Sequence, residues 1–303
     1  MEMQELRYAA AVYRERHFVR AANRAHVSQP TLSQGLKKLE RELGAALFER
    51  SPRGVRVTPA GEKFIHKILP ALAALDGAAE DLIADAGEPT GVVRLGAIPT
   101  VGPYVVPRAL PLLRKCAPRL TVEIHEVTTS LLLGQLKDGR LDLGLLALPV
   151  GERGFTARPF GEEPFRLAVA PDHPLARKKT VSVRDLAEER MLVLQEGHCF
   201  RQQSLAFCKM AANDPRVIFE GSSLGSVMRL AAAGEGVTLV PRIAADPGES
   251  PGLRFIPFER PEPRRQIGAL WRSGAAGTPG QKAVLEALAR AWTSAVEEGE
   301  KKV

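Results

Sequence analysis

The chain has 303 residues, of which 45% are apolar and 25% charged, so we expect a packed core and exclude general disorder. Its net charge of +7 is concentrated at the start, where residues 1–66 hold twelve Lys and Arg against seven Asp and Glu; this suits a phosphate backbone, but equally a solvated basic face. Early charges exclude a signal peptide, and no apolar run approaches the about 18 residues of a membrane span, so we expect a soluble, cytoplasmic protein.

A helix-turn-helix is predicted near the N-terminus. Residues 18–25 form a short helix, residues 26–27 a tight turn, and residues 29–43 a second helix. Ser28 is a good N-cap, and Pro30 is tolerated in the first turn. The core face of the second helix is predicted to be Leu32, Leu36, Leu39 and Leu43.

The outward face of that second helix carries side chains suited to DNA. Hydroxyl and amide groups fit base edges, lysines fit phosphates, and a basic hairpin over residues 48–58 fits the backbone or minor groove. The candidate DNA-binding residues are Ser28, Gln29, Pro30, Thr31, Ser33, Gln34, Lys37, Lys38, Arg50, Arg53 and Arg56. An ordinary amphipathic bundle is the alternative.

A long helix is predicted over residues 59–87, followed by a breaker cluster at 88–91. Its apolar residues recur at steps of four and three, which predicts a coiled-coil seam for dimerisation. The seam is Ile68, Leu72, Leu75, Ala79, Leu82 and Ala86. Pro70 departs from an ideal helix, and packing on its own domain is the alternative.

Beyond residue 91, short apolar strands alternate with helices, which predicts an α/β fold on a largely parallel sheet. Strands are predicted at 92–97, 120–127, 141–147, 165–170, 191–194, 217–220, 237–241, 253–258 and 266–272. Helices are predicted at 105–115, 131–138, 200–210, 224–233 and 280–296.

The N-terminal residues resemble the LysR-type family of transcription regulators, through the run 27–33 (VSQPTLS), 39–44 (LERELG), 47–50 (LFER) and 58–61 (TPAG). The resemblance implies a winged helix-turn-helix domain over 1–58, a linker helix and hinge over 59–90, and a sensor domain over 91–303. The sensor would have two lobes, like a periplasmic binding protein: lobe one from 92–161 and 267–303, lobe two from 162–266. It also implies a homodimer or homotetramer on promoter DNA.

Among three cysteines, Cys199 is the candidate reactive thiol, while Cys116 is expected to be inert. Gly197 can start a helix, which places Cys199 at a helix N-terminus beside His198 and Arg201. Positive charge there favours the thiolate, the form that attacks peroxide. The resulting sulfenic acid can be trapped by a second thiol, and Cys208 is nearest in sequence.

Within a helix, Cys199 and Cys208 would be roughly 13 Å apart along the axis and on opposite faces, whereas a disulfide needs Cα atoms within about 7 Å. Bonding would therefore require partial unwinding of the helix. Two inert cysteines are an equal alternative on chemistry alone. A zinc pair with His198 lacks a fourth ligand, so no metal or cofactor is expected.

The resemblance extends over nearly the whole chain to the peroxide-sensing LysR regulators, through residues 197–201 (GHCFR), 207–208 (FC) and 261–268 (PEPRRQIG). It implies that Cys199 is the peroxidatic thiol and Cys208 the resolving one. It also implies that Thr100, Thr129 and His198 hold or polarise peroxide, and that Arg264 or Arg265 makes state-dependent contacts. Gln202 stands where an acidic residue is common.

The expected function is therefore a DNA-binding switch and not an enzyme. Its expected partners are promoter DNA, hydrogen peroxide, RNA polymerase and a cellular dithiol that resets it. One alternative is a LysR-type regulator with an organic effector between its lobes. Another is a thiol peroxidase, against which the helix-turn-helix and basic hairpin argue.

Overall fold

The computed structural model describes residues 1–51, 54–84, 89–209, 216–275 and 277–301. Its N-terminal part contains three short helices, a hairpin and a long helix. They are α1 (Met3–Glu15), α2 (Phe18–Arg24), α3 (Gln29–Leu43), β1 (Phe48–Ser51), β2 (Gly54–Val57) and α4 (Pro59–Ala84). The predicted helix-turn-helix and hairpin are confirmed. Residues 85–88, where the long helix was predicted to end, lie outside the described ranges.

Helix α3 begins and ends at the residues that cap it. The Ser28 Oγ accepts a hydrogen bond from the backbone N–H of Thr31 at 3.2 Å. Gly44 ends the helix at a φ of 66°, a left-handed conformation that glycine adopts without strain. Leu32, Leu36 and Leu39 are buried as predicted. Leu43 is 36% exposed, so its predicted core position is wrong: it lies in the last turn, where the chain leaves the bundle.

Helix α4 packs against the N-terminal domain through the first part of its predicted seam. Ile68 and Leu72 are buried in the apolar cluster that also contains Leu32 and Tyr13. Leu75 is 49% exposed. Two residues of the predicted coiled-coil seam, Ile68 and Leu72, therefore pack against the chain's own N-terminal domain. This agrees with the alternative that the helix packs on its own domain. The side chains of Ala79 and Leu82, and all of Ala86, lie outside the described residues.

The second part of the chain alternates strands and helices. The strands are β3 (Gly91–Ala97), β4 (Leu120–Glu126), β5 (Leu143–Leu148), β6 (Phe155–Val169), β7 (Arg190–Leu194), β8 (Arg216–Gly221), β9 (Thr238–Pro241), β10 (Arg254–Pro257) and β11 (Arg264–Arg272). The helices are α5 (Gly102–Cys116), α6 (Thr129–Lys137), α7 (Cys199–Lys209), α8 (Leu224–Ala232) and α9 (Pro279–Lys301).

The expectation of a largely parallel sheet is wrong. The main sheet has the strand order β10-β6-β11-β5-β3-β4, with β9 also paired to β6, and β7 and β8 form a separate pair. Among the paired strands that the structure describes, β3–β4, β3–β5 and β7–β8 are parallel. The others are antiparallel because β6 and β11 run in opposite directions through the middle of the molecule and pair with each other and with their neighbours.

Two apolar clusters lie at the two ends of the β6–β11 pair. One gathers residues of β3, β5, α5 and α9, and the other residues of β7, β9, α7 and α8. Between them, Gly161 of β6 lies opposite Ile267 of β11. A Cβ atom at position 161 would be 2.8 Å from the Trp292 Nε1, so only glycine fits there.

The N-terminal domain touches the second part of the chain through Tyr13. Its hydroxyl lies 2.7 Å from the Asp138 Oδ1, at the end of α6, and 2.9 Å from the Glu62 Oε2, in α4. It donates to one of these carboxylates at a time, and burial together with both carboxylates raises the pKa of Tyr13. Across the described ranges, no helix is long and apolar enough to cross a bilayer, and no cluster of three or more acidic, His or Cys residues could hold a metal.

Candidate functional site

Cys199 is the first residue of α7 and lies at the boundary between the two apolar clusters. Its side chain is partly buried and packs against the cluster around β3 and β5, although the next residue, Phe200, belongs to the other cluster. Gly197 makes the turn into the helix at a φ of 93°. A Cβ atom there would be within 3.6 Å of the Thr128 hydroxyl and 3.5 Å of the Ser130 hydroxyl, so this turn lies against the start of α6.

Several buried polar atoms around the start of α7 have no hydrogen-bond partner among the described residues. Two are on residues predicted to hold peroxide: the Thr129 Oγ1 and the His198 Nε2. The others are on residues of α7 itself, namely Arg201 Nη1, Gln203 Oε1 and Ser204 Oγ. Buried polar groups without partners are costly, so the atoms on Thr129 and on His198, which directly precedes Cys199, are candidates to bind a small polar ligand.

Of the two residues predicted to carry positive charge beside Cys199, His198 is neutral and Arg201 is ion-paired. Burial lowers the pKa of His198, so this imidazole is neutral at pH 7. The guanidinium of Arg201 is paired with the Glu220 carboxylate at 2.7 Å. The expectation that His198 is positively charged is therefore wrong, whereas the role of Arg201 stays a prediction. Cys199 is also the first residue of α7, and a helix N-terminus is a favourable place for an anion.

Cys208 lies in the penultimate position of α7 and is buried in the cluster around β7 and β9. Burial raises the pKa of its thiol to about 11. Both cysteines are free, and the helix between them holds them at the predicted separation of roughly 13 Å. Cys116 is also free and, contrary to the expectation of a buried small hydrophobe, is exposed because it ends α5.

Arg265 is buried and joins three parts of the site. Its Nε and Nη2 donate to the Glu163 Oε1 at 2.8 and 2.6 Å, and its Nη1 donates to the Thr100 Oγ1 at 2.8 Å. Its guanidinium carbon lies 5.3 Å from the centroid of the Phe200 ring. Arg264 faces outward, half exposed and 3.8 Å from carboxylates of Glu162 and Glu262.

The sequence analysis missed Glu163. Its second oxygen, Oε2, accepts the backbone N–H of Ile243 at 3.0 Å, so this carboxylate is fully used. Glu163 and Arg265 are 102 positions apart, and no local pattern pairs them. The one available signal is an acidic residue directly before an apolar strand.

The predicted DNA-binding side chains form one face of the N-terminal domain, and none is buried where the structure describes them. The exposed or partly exposed residues are Ser28, Gln29, Pro30, Thr31, Ser33, Gln34, Lys37, Lys38 and Arg56. Lys38 is engaged: its ammonium lies 2.6 Å from Glu2 and 2.8 Å from Glu5 of α1. Arg53 and the side chain of Arg50 lie outside the described residues.

Two family models match the chain. The model for the bacterial regulatory helix-turn-helix protein, lysR family, matches residues 3–62, and the LysR substrate binding domain matches residues 86–293. The chain is 40% identical over 276 residues to the DNA-binding transcriptional dual regulator OxyR of Escherichia coli (strain K12), covering 90% of each chain. It is 39% identical to the probable hydrogen peroxide-inducible genes activator of Mycobacterium leprae, covering 88% of this chain and 87% of the relative.

Solved structures give the same assignment. The chain superposes on a full-length OxyR variant from Pseudomonas aeruginosa with a TM-score of 0.83 and 38% identity, covering 96% of this chain and 94% of the other. An H₂O₂-bound OxyR mutant from Corynebacterium glutamicum matches with a TM-score of 0.66 and 35% identity, covering 98% and 96%. The chain belongs to the LysR family of bacterial helix-turn-helix regulators, in its OxyR branch.

Proposed function

We propose that this chain is a transcription regulator that senses hydrogen peroxide through Cys199 and records it as a disulfide with Cys208. The observation that carries the proposal is the placement of the two thiols. Cys199 lies at a helix N-terminus among unpartnered polar atoms of Thr129 and His198, whereas Cys208 is buried at the far end of the same helix.

The chemistry begins with the Cys199 thiolate. Its sulfur attacks one oxygen of H₂O₂, the O–O bond breaks, and hydroxide leaves and is protonated to water, which yields a sulfenic acid. The His198 Nε2 and the Thr129 Oγ1, which have no partner among the described residues, orient the peroxide. Thr100 contributes indirectly, because its hydroxyl accepts the hydrogen bond from Arg265.

The second step forms the disulfide and changes the fold. The Cys208 sulfur attacks the sulfenic sulfur, the S–O bond breaks, and a second water is released. The two Cα atoms must come within about 7 Å, so α7 unwinds in part. Cys199 then leaves the cluster around β3 and β5 while Cys208 leaves the cluster around β7 and β9. One covalent bond thereby rearranges both lobes, with the lobe boundaries near residues 161 and 266.

The output is a change in how the protein holds promoter DNA. The second helix of the helix-turn-helix, α3, enters the major groove, with Gln29, Ser33 and Gln34 at base edges and Lys37 and Arg56 at phosphates. The protein acts in the cytoplasm as a homodimer or homotetramer that contacts RNA polymerase. The rearrangement of each subunit changes how this oligomer binds DNA. A cellular dithiol reduces the disulfide. Peroxide is consumed once per cycle, so we do not regard the chain as an enzyme.

Mass spectrometry of the full-length protein, reduced and then treated with one equivalent of H₂O₂, tests this proposal. We expect a peptide pair joined through Cys199 and Cys208, with loss of two hydrogens. Cys208→Ser should accumulate a sulfenic acid at Cys199 that dimedone labels, and Cys199→Ser should give neither product. Cys116→Ser is the matched control and should behave like the wild type. A peroxide-dependent change in promoter binding that persists in Cys199→Ser would contradict the proposal.

A further inference from the structure

A second cavity, far from the thiols, lies between the N-terminal domain and the regulatory half of the same chain. Its volume is about 310 Å³. Helices α1 and α2 supply Arg7, Arg14 and Arg24 on one side, and strands β3 and β11 supply Arg94 and Arg272 on the other. Asp142 is the one acidic side chain among the lining residues that the structure describes. Five guanidinium groups from two domains therefore converge on one small space.

Two of these five arginines, Arg24 and Arg94, form ion pairs with carboxylates of the described residues. Arg24 is paired with Glu15 at 2.9 Å, and Arg94 lies 3.2 Å from Glu123 and 3.7 Å from Asp142. Those pairs leave Arg14 with no carboxylate within ion-pair distance among the described residues, and its Nε has no hydrogen-bond partner there. Burial, then the charges of Arg94 and Arg24, lower its pKa to about 10.

Arg272 is in a similar position on the opposite wall. It donates to the backbone carbonyls of Leu136 and Leu141, which are neutral acceptors, and its Nε has no partner within the described part of the chain. Burial lowers the pKa of Arg272 as well, and the nearby carboxylates of Asp142 and Asp138 oppose this shift without forming an ion pair with it among the described residues. Partly buried cations that repel one another are stabilised by an anion placed between them, and a guanidinium fork suits the oxygens of phosphate or carboxylate groups.

We propose that this cavity binds a small multivalent oxyanion of phosphate or polycarboxylate chemistry, held by Arg14 and Arg272. The volume is at the lower end of ligand cavities, which fits a single phosphate or a short polycarboxylate. Gln4, Arg7 and Arg24 at its rim are exposed, so such an anion can enter. Because the two walls belong to different domains, the bound anion clamps the DNA-reading domain onto the regulatory half.

Calorimetric titration of the reduced, full-length protein tests the site. Sodium phosphate and sodium citrate are the two probes, each at constant ionic strength set with NaCl, so that screening does not mimic binding. We expect saturable binding of one anion per chain, and the probe that binds identifies the source. Arg14→Gln should raise the Kd at least about tenfold, which is the effect of losing one charge-assisted hydrogen bond.

Two further variants keep the test decisive. Arg24→Gln changes an exposed residue at the rim of the cavity, so we expect this variant to fold even if Arg14→Gln does not. Its Kd for the anion should rise several-fold. Arg119→Gln changes an exposed arginine outside the cavity and should leave the Kd unchanged. The proposal is overturned by the absence of saturable binding of both probes, by equal weakening in Arg119→Gln, or by displacement of phosphate by duplex DNA. Disulfide formation at Cys199 is independent of all these outcomes.

Discussion

Glu163 and Arg265 are cross-strand partners on β6 and β11, and neither side chain has any exposed surface. Their ion pair lies two residue pairs from Gly161, where the strands pass between the two apolar clusters. The same guanidinium also donates a hydrogen bond to the backbone carbonyl of Thr100, in the loop that follows β3. It lies beside the Phe200 ring at the start of α7. The residue after the reactive thiol is thus tied to the middle of the sheet.

Glu163→Gln should lower the free energy of unfolding by about 3–5 kcal/mol, the usual cost of removing one partner of a buried ion pair. The neutral amide leaves Arg265 uncompensated. The amide's single oxygen can accept from Arg265 or from the Ile243 N–H, and its NH₂ group, which only donates, then faces the other donor. Urea denaturation measures the change. Glu162→Gln, the adjacent, exposed carboxylate, is the control and should cost under about 0.5 kcal/mol. An equal decrease in the free energy of unfolding for Glu163→Gln and Glu162→Gln would contradict the structural role of the Glu163–Arg265 pair.

Cys208 should be the slowest of the three cysteines to react with iodoacetamide at about pH 8. Its thiol pKa of about 11 leaves a thiolate fraction on the order of a hundredfold below that of an ordinary cysteine. Peptide mapping over time gives the rates, with the exposed Cys116 as the internal control. Unfolding in urea should abolish the difference. A folded-state rate for Cys208 equal to that of Cys116 would contradict its burial.

His198 should make the protein less stable in mild acid. Burial lowers its pKa, so below about pH 6.5 the unfolded chain takes up a proton that the folded chain takes up only at lower pH. The unfolded state then binds more protons, and the free energy of unfolding falls as the pH drops.

Urea denaturation at several pH values between about 7.5 and 5.5 checks this, because the slope against pH reports the proton difference. His198→Gln should have the flatter profile. His125→Gln, which replaces an exposed histidine on β4, should keep the wild-type slope. Identical slopes for the wild type and His198→Gln would show that the imidazole is not the group that titrates.

Neighbouring lysines on α3 should contribute unequally to DNA binding. Lys37 is exposed, and Lys37→Ala should reduce the slope of log affinity against log salt by about one for a single phosphate contact. Lys38→Ala should reduce it by less, because its ammonium is already paired with Glu2 and Glu5. Fluorescence anisotropy with a promoter duplex over a range of NaCl concentrations measures both slopes. A larger effect at Lys38 would mean that its ion pairs open on DNA.

Local patterns predicted the elements well where one residue sets a boundary. Ser28 and Gly44 define α3, and the turn at Gly197 defines the start of α7, so those bounds follow from capping chemistry. The direction of the strands did not follow, because apolar alternation marks a strand without saying which neighbour it pairs with. The fifteen-residue strand β6 was predicted only over its last five residues, 165–169, which are apolar except for Arg166.

At the candidate site, sequence chemistry identified the thiols but not their electrostatics. His198 and Arg201 are adjacent to Cys199 in sequence, which suggested two positive charges. Burial removes the charge of His198, and Glu220, nineteen positions after Arg201, forms an ion pair with that arginine. Glu163 was missed for the same reason: its partner is set by strand register, and register is a property of the folded sheet.

The bulge in the pairing of β6 with β11 has a mechanical consequence. The register shifts between the pairs Gly161–Ile267 and Pro159–Gly268, so Phe160 has no partner on β11 where the strands pass between the two apolar clusters. A bulge bends a strand and increases its local twist, so we expect the two strands to deform most readily there. We expect a rearrangement that begins at α7 to reach the other apolar cluster mainly as a bend and twist of these two strands at Phe160.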